Sequence, residues 1–197
     1  MQKEVEIKIK IDAKQQGLLK KWLESNAKFI GDLKITDYYL NNPESSFYFD
    51  SKKGYKEALN FLRLRKSEKK NFITFKKRNI DENDKTISVE ELETTIGDIN
   101  KALQIFRQLN LLEITEIQKQ RTVYNYDIFE IVFDKVERLG DFVEIELKNY
   151  SGDVNSGIQK IYKLLKSIGI KQFIEYDRGY ITMFLNPDYY FGKEIEL

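Results

Sequence analysis

The pattern of apolar and polar positions is set by the first strand-like segment. From Glu4 to Ile11 charged and apolar residues alternate, so Glu4, Glu6 and Lys8 share one face while Val5, Ile7 and Ile9 share the other. Asp12 can then cap a helix over Ala13–Ala27, whose Leu18, Leu19, Trp22 and Leu23 fall on one side. Strand-like runs follow at Lys34–Leu40, Phe47–Phe49, Asn60–Lys66, Phe72–Arg78 and Thr86–Thr94. The charged stretch Arg78–Lys85 reads as a solvated hairpin connection. Helical spacing returns at Gly97–Leu111 through Ile99, Leu103, Phe106 and Leu109. Three more strands are predicted at Glu113–Tyr126, Ile128–Val136 and Asp141–Lys148. A helix over Asn155–Ile168 stops at Gly169, a common C-cap residue, and Phe173–Leu185 gives a strand fragment and a short helix. With about eight strands that mostly follow one another directly, the expected class is α+β with a mainly antiparallel sheet. The chain shows no repeat, no low-complexity segment and no linker, so one domain over residues 1–197 is the economical organisation.

The charged faces of these strands are less ordinary than the alternation itself. Arg63 and Arg65 share a face, as do Thr74 and Lys76, Glu91 and Glu93, Lys119 and Arg121, and Glu144 with Glu146 and Lys148. Asp134 interrupts an otherwise apolar strand after Ile131–Phe133. A single alternating strand is most simply a half-buried strand with its charges in water. Whole strands dominated by one sign are another matter, because solvated strands usually intersperse signs and like charges side by side are unfavourable. If the strands close into a barrel, one wall becomes basic and another acidic. Unpaired charges inside would cost several kcal/mol each, so the interior must hold water, ions or a charged ligand. A barrel of about eight strands has room for one small ligand. A polyanion accompanied by a divalent metal suits both walls, since Arg and Lys bind phosphate oxygens and carboxylates bind Mg²⁺ or Mn²⁺.

Composition narrows the chemistry further. The 197 residues contain no cysteine and no histidine, which removes disulfides, thiolate and imidazole metal ligands, and Ser-His or Cys-His nucleophile systems. Any metal site must be built from oxygen donors. Lys and Arg total 33 against 32 Asp and Glu, and a net charge of +1 argues against a general nucleic-acid binder. No apolar run approaches the roughly 18 residues that span a bilayer, and the N-terminus lacks a signal-peptide stretch, so a cytoplasmic setting without membrane attachment is expected. An exposed sheet edge or helix face could support a homodimer.

The ordered segments resemble the CYTH family, also called triphosphate tunnel metalloenzymes, which includes class IV adenylate cyclases, thiamine triphosphatases and inorganic triphosphatases. EVEIK at Glu4–Lys8 matches the family's ExExK signature; FLRLR carries Arg63 and Arg65, TFKK carries Lys76, EELE carries Glu91 and Glu93, and KQR carries Lys119 and Arg121. FDKVERLGDFVEIE carries Asp134, Glu144 and Glu146. ExExK alone is weak; six segments in order, over nearly the whole chain, are specific. One departure is Asp177-Arg178-Gly179-Tyr180, where the family often has Arg-x-Ser-Tyr, so Arg and Tyr stay in step while Ser is Gly. Tyr38 and Tyr39 follow Asp37 much as in the family's Asp-x-Tyr strand.

The resemblance implies a closed antiparallel eight-stranded β-barrel forming a triphosphate tunnel, with helices packed outside. It implies that Arg63, Arg65, Lys76, Lys119 and Arg121 hold the triphosphate and that Arg178 closes one end. Glu4, Glu6 and Glu146 would lead the metal ligands, with Glu91, Glu93, Asp134 and Glu144 as further candidates. Glu6, Glu146 and Lys8 would be the catalytic set, Lys8 touching a phosphate or fixing neighbouring carboxylates. The substrate would be a nucleoside triphosphate or another triphosphate, and the cofactor Mg²⁺ or Mn²⁺. EVEIK and the Arg178/Tyr180 segment are closer to the class IV adenylate cyclase branch, which makes cyclic AMP and pyrophosphate from ATP. An inorganic or thiamine triphosphatase is the alternative, and a non-catalytic polyphosphate- or nucleotide-binding module the second. A plain structural β-domain would leave every charge in solvent.

Overall fold

The computed structural model describes residues 5–80 and 86–197, with the backbone alone at 86–88. Glu4 and residues 81–85 of the expected 78–85 connection lie outside the described residues, and 78–80 belong to a strand. In chain order the elements are β1 (Val5–Lys10), α1 (Ala13–Asn26), β2 (Lys28–Asn41), β3 (Tyr48–Asp50), β4 (Lys56–Ala58), β5 (Asn60–Ser67), β6 (Asn71–Ile80), β7 (Thr86–Ile96), α2 (Ile99–Gln108), β8 (Leu112–Tyr126), β9 (Phe129–Val136), β10 (Gly140–Leu147), α3 (Val154–Ile168), β11 (Gln172–Tyr176), α4 (Tyr180–Leu185) and β12 (Gly192–Glu196). The helices start where the sequence supplies a cap: Asp12, Asp98 and Asp153 each accept a hydrogen bond from the third residue of the helix that follows. At α3 the chain leaves through Gly169, whose φ of 98° is the left-handed conformation that glycine adopts cheaply.

The fold is α+β, with a large antiparallel sheet in the hydrogen-bonded order β12-β11-β1-β10-β9-β8-β2-β5-β6-β7, and a separate β3-β4 pair. The α+β class and the antiparallel sheet are as expected, while closure into an eight-stranded barrel is not confirmed. The order has two ends, β12 and β7, and no pairing between them occurs among the described residues. Alternation along a strand announces a buried face, but nothing in it tells whether two edge strands meet. Beyond the expected elements, the C-terminal segment supplies β12, and β2 begins well before the expected Lys34.

The chain divides into two compact units. The first comprises the chain up to Leu33, Gln120–Arg178 and Phe191–Leu197; the second comprises Lys34–Lys119 and Gly179–Tyr190. In the first unit, Val5, Ile7, Ile9, Ile131, Phe133, Val143, Ile145 and Leu147 form one sheet face, and α1 and α3 cover it through Leu19, Leu23, Ile161, Leu165 and Ile168. The approach of α3 is close: a Cβ added at Gly157 would lie 2.7 Å from Val5 Cγ1, so glycine is what lets this helix sit against β1. In the second unit, Leu40, Leu62, Leu64, Ile73 and Phe75 form the apolar face, and α2 covers it with Ile99, Leu103 and Phe106. Helices packed on the apolar side of each sheet segment are therefore as the pattern predicts, and the charged sides are left to other work. No helix among the described residues is long and apolar enough to cross a membrane.

Candidate functional site

The charged face of the first unit is built by β1, β10, β9 and the second half of β8. Register places Glu6 opposite Glu146, and Glu146 opposite Glu130, so three carboxylates lie side by side across three strands. Like charges so arranged repel unless a cation intervenes. Lys148 supplies one, with Nζ 2.6 Å from Glu146 Oε2 and 3.2 Å from Glu130 Oε1. Burial would lower the Lys148 ammonium, but its hydrogen bond and charge contacts with Glu146, and the charge of Glu130, raise it above its ordinary value. The next row joins Lys8 to Glu144. Lys8 Nζ lies 3.3 Å from Glu144 Oε1 and donates to the Arg178 carbonyl oxygen at 3.3 Å.

Arg121 is gripped on the same face. Its Nε donates to Asp134 Oδ1 at 2.7 Å, and its Nη2 donates to Asp134 Oδ2 and Glu144 Oε2 at 2.5 Å each. Asp134 is 1% exposed, so this two-pronged bond is made away from water. Further along, Lys10 Nζ donates to the Leu139 carbonyl oxygen at 2.7 Å and stands 4.4 Å from the centre of the Phe142 ring. Burial pushes the Lys10 ammonium down, and Asp141 offsets part of that. Arg178 Nη1 lies 2.9 Å from Asp177 Oδ2.

In the second unit the charged face runs over β2, β5, β6 and β7 and the first half of β8. Arg63 and Arg65 stand on β5 between β2 and β6, with Asp37 opposite Arg65, Tyr39 and Thr74 opposite Arg63, and Glu93 beyond Thr74. Arg65 Nε donates to Asp37 Oδ1 at 2.6 Å and Nη2 to Oδ2 at 2.8 Å, while Lys119 Nζ lies 3.7 Å from Oδ2. Asp37 is 2% exposed and Lys119 5% exposed. Burial would raise the Asp37 carboxyl, but the hydrogen bond and charge of Arg65, with Lys119 and Arg63, hold it well below the usual carboxylate range. Burial pushes the Tyr39 phenol up, and Asp37 adds to that. Arg63 Nη2 donates to Thr74 Oγ1 at 3.1 Å, and Thr74 Oγ1 donates in turn to Glu93 Oε2 at 2.7 Å. Arg63 Nε is buried with no hydrogen-bond partner among the described residues. Lys76 Nζ lies 2.7 Å from Glu91 Oε2.

These placements modify the expected picture of one basic and one acidic wall. Signs change from strand to strand within each unit: Glu91 and Glu93 sit beside Lys76 and Arg63, while Asp134 and Glu144 converge on Arg121. Antiparallel neighbours bring the opposite sign to Lys76, Arg63 and Arg121, whereas the Glu6, Glu146 and Glu130 row keeps one sign across three strands. Among the described residues no three Asp or Glu gather around one point. Of the expected metal ligands, Glu6 and Glu146 are strand neighbours, and Glu146, Glu91, Glu93, Asp134 and Glu144 each lie against a cation. An all-oxygen pair such as Glu6 and Glu146, with like charges abreast, suits a hard divalent cation. Glu4, on the same alternation, lies outside the described residues.

Several participants were not among the expected site residues. Asp37 carried a readable signal, an acid inside the apolar run Ile35–Leu40, the same signal that marked Asp134. Glu57 carried none. It lies in a three-residue strand, is 1% exposed, and accepts from Arg78 Nη1 at 2.7 Å and Thr182 Oγ1 at 3.2 Å. Arg78 continues the Thr74, Lys76 alternation by one more step.

Comparison with known proteins adds independent evidence. The CYTH domain family model matches residues 2–180. A protein of Methanocaldococcus jannaschii named "Putative adenylate cyclase" is 34% identical over 172 residues, covering 86% of this chain and 91% of its own. The PH1819 protein of Pyrococcus horikoshii has a solved structure of TM-score 0.69 and 25% identity, covering 94% of this chain and 99% of that one. A Hippeastrum structure, described as an adenylyl cyclase with a dominant triphosphatase activity, has a TM-score of 0.67 at 16% identity, over 95% of this chain and 96% of that one. At that identity the likeness is one of fold.

Proposed function

The chain belongs to the CYTH domain family, and on that premise we propose that it acts as one CYTH-like domain on the triphosphate of a nucleotide, in a divalent-metal-dependent tunnel. The preferred reaction is that of a class IV adenylate cyclase, ATP to cyclic AMP and pyrophosphate. The M. jannaschii relative, 34% identical and named for that activity, supports this choice. The single observation that carries the phosphate reading is Arg63 Nε: a charged donor buried without a hydrogen-bond partner among the described residues, on a face it shares with Arg65, Lys76 and Thr74. A buried unsatisfied N–H is costly, and an anionic oxygen is the group that satisfies it best.

In this reading Arg63, Arg65, Lys76, Lys119, Arg121 and Arg178 bind phosphate oxygens. Glu6 and Glu146 hold Mg²⁺ or Mn²⁺, with Glu4, Glu91, Glu93, Asp134 and Glu144 as further donors. The bound ion supplies neutralising charge and Lewis acidity to the phosphates. Lys8, fixed by Glu144, donates to a phosphate oxygen or keeps the adjacent carboxylates in place. The ribose 3′-oxygen attacks the α-phosphorus, its bond to pyrophosphate breaks, and the hydroxyl proton passes to a carboxylate, because the chain has no histidine. Positioning and electrostatic stabilisation supply most of the rate.

A second reading has one specific support: the Hippeastrum neighbour is described by a dominant triphosphatase activity. There water attacks the terminal phosphorus and no nucleoside need be held. Product analysis with ATP, thiamine triphosphate and tripolyphosphate, each with Mg²⁺ or Mn²⁺, separates the two. Cyclic AMP from ATP is the expected product; free phosphate from any of the three would establish the triphosphatase; no turnover would reduce the protein to a binding module.

A further inference from the structure

Asp37 is an acid in the middle of a face proposed to bind a polyanion, which is electrostatically the wrong sign. It is nonetheless the group about which that face is organised. Both of its oxygens are bonded by Arg65, at 2.6 and 2.8 Å, and one lies 3.7 Å from Lys119. The three residues come from three strands, β2, β5 and β8. Lys119 is held further by the Tyr180 ring, 5.0 Å from its ammonium. An isolated arginine and lysine have several rotatable bonds each, and ordering them only when substrate arrives costs about 0.5–1.5 kcal/mol per side chain. A buried carboxylate shared by the two settles that cost during folding.

We infer that Asp37 is a positioning residue for triphosphate binding, holding the Arg65 guanidinium and the Lys119 ammonium in the arrangement the phosphates meet. The inference rests on reading Arg65 and Lys119 as phosphate ligands and goes beyond it. It makes a prediction whose sign separates it from plain electrostatics. Removing a negative charge from a basic face strengthens its attraction for a polyanion; removing a positioning group weakens binding.

The test is isothermal titration of tripolyphosphate, with Mg²⁺, into the full-length chain carrying Asp37→Asn, Arg65→Lys or both. Each single variant is expected to bind about tenfold more weakly, and the double variant no worse than the poorer single, because both changes break one unit. Tighter binding by Asp37→Asn, or losses that multiply in the double variant, would overturn the inference. Asp37→Glu keeps the charge but shifts both oxygens by a methylene, and covers the case in which Asp37→Asn does not fold. It is expected to bind at least about fivefold more weakly, and unchanged affinity would overturn the inference. Wild-type protein that fails to bind tripolyphosphate would overturn the phosphate reading itself, a different result from wild-type binding that Asp37 does not influence.

Discussion

Arg121 in the first unit and Arg65 in the second make nearly the same contact. Each lays Nε and Nη2 against the two oxygens of a buried aspartate on the next strand, Asp134 in one case and Asp37 in the other. The third partner differs. In the first unit the guanidinium is shared, with Glu144 as a second carboxylate. In the second the carboxylate is shared, with Lys119 as a second cation. The same two-pronged bond therefore sits in a balanced cluster in the first unit, where Lys8 also lies 3.3 Å from Glu144, and in a cluster with an excess positive charge in the second. An excess of positive charge is what a polyanion needs from its host, and by that measure the Asp37, Arg65 and Lys119 cluster suits phosphate oxygens better than the balanced one does.

The sharpest way to break the comparison is on the acidic side. Glu6→Gln removes one of three abreast carboxylates without touching a core residue, so metal-dependent turnover should fall at least about a hundredfold while the melting temperature holds. Steady-state assays beside thermal unfolding check this, and unchanged turnover removes Glu6 from the metal set. Next is stability. Asp134→Asn leaves Arg121 facing an amide in a buried site, and about 3–5 kcal/mol should be lost, read from the urea midpoint. A loss below about 1 kcal/mol would mean that Glu144 alone satisfies Arg121.

The legibility of these features in the sequence follows from how they are encoded. The two-residue alternation exposed Glu6, Lys8, Arg63, Arg65, Lys76, Glu144 and Glu146 because strand geometry turns it directly into a face. Helices at Ala13, Gly97 and Asn155 were visible from their caps and apolar spacing, and structure moved their bounds by only a few residues. Pairing was less legible. No single strand says that β7 will lie beside β6, so the neutralisation of Glu91 and Glu93 by Lys76 and Arg63 was not foreseen. Closure was not legible either, since it depends on two edge strands far apart in the chain. Glu57 remained hidden because a three-residue strand is too short to show a period.

A smaller effect sharpens the positive side of the comparison. The Asp37 carboxyl is held well below its ordinary range in the folded protein. Its contribution is therefore fully present above the unfolded value near 4 and is lost as pH falls toward the depressed folded value. The melting temperature should drop steeply below pH 4, and Asp37→Glu, whose oxygens no longer fit Arg65, should drop less steeply. Smallest of all is Glu91→Gln. Its partner Lys76 and Glu91 itself keep about a quarter of their side-chain surface in water, so the change should stay within about 1 kcal/mol by the urea midpoint. A larger loss would place that pair among the structural contacts.

The most direct test of the central claim is the melting temperature with tripolyphosphate and Mg²⁺ against Mg²⁺ alone. At a hundredfold excess over the dissociation constant, binding to the folded state contributes about 2.7 kcal/mol, which for a chain of this size is a rise of about 5–10 °C. A rise of that size, lost on adding Arg63→Ala, is the predicted result; identical melting curves with and without tripolyphosphate would contradict the account.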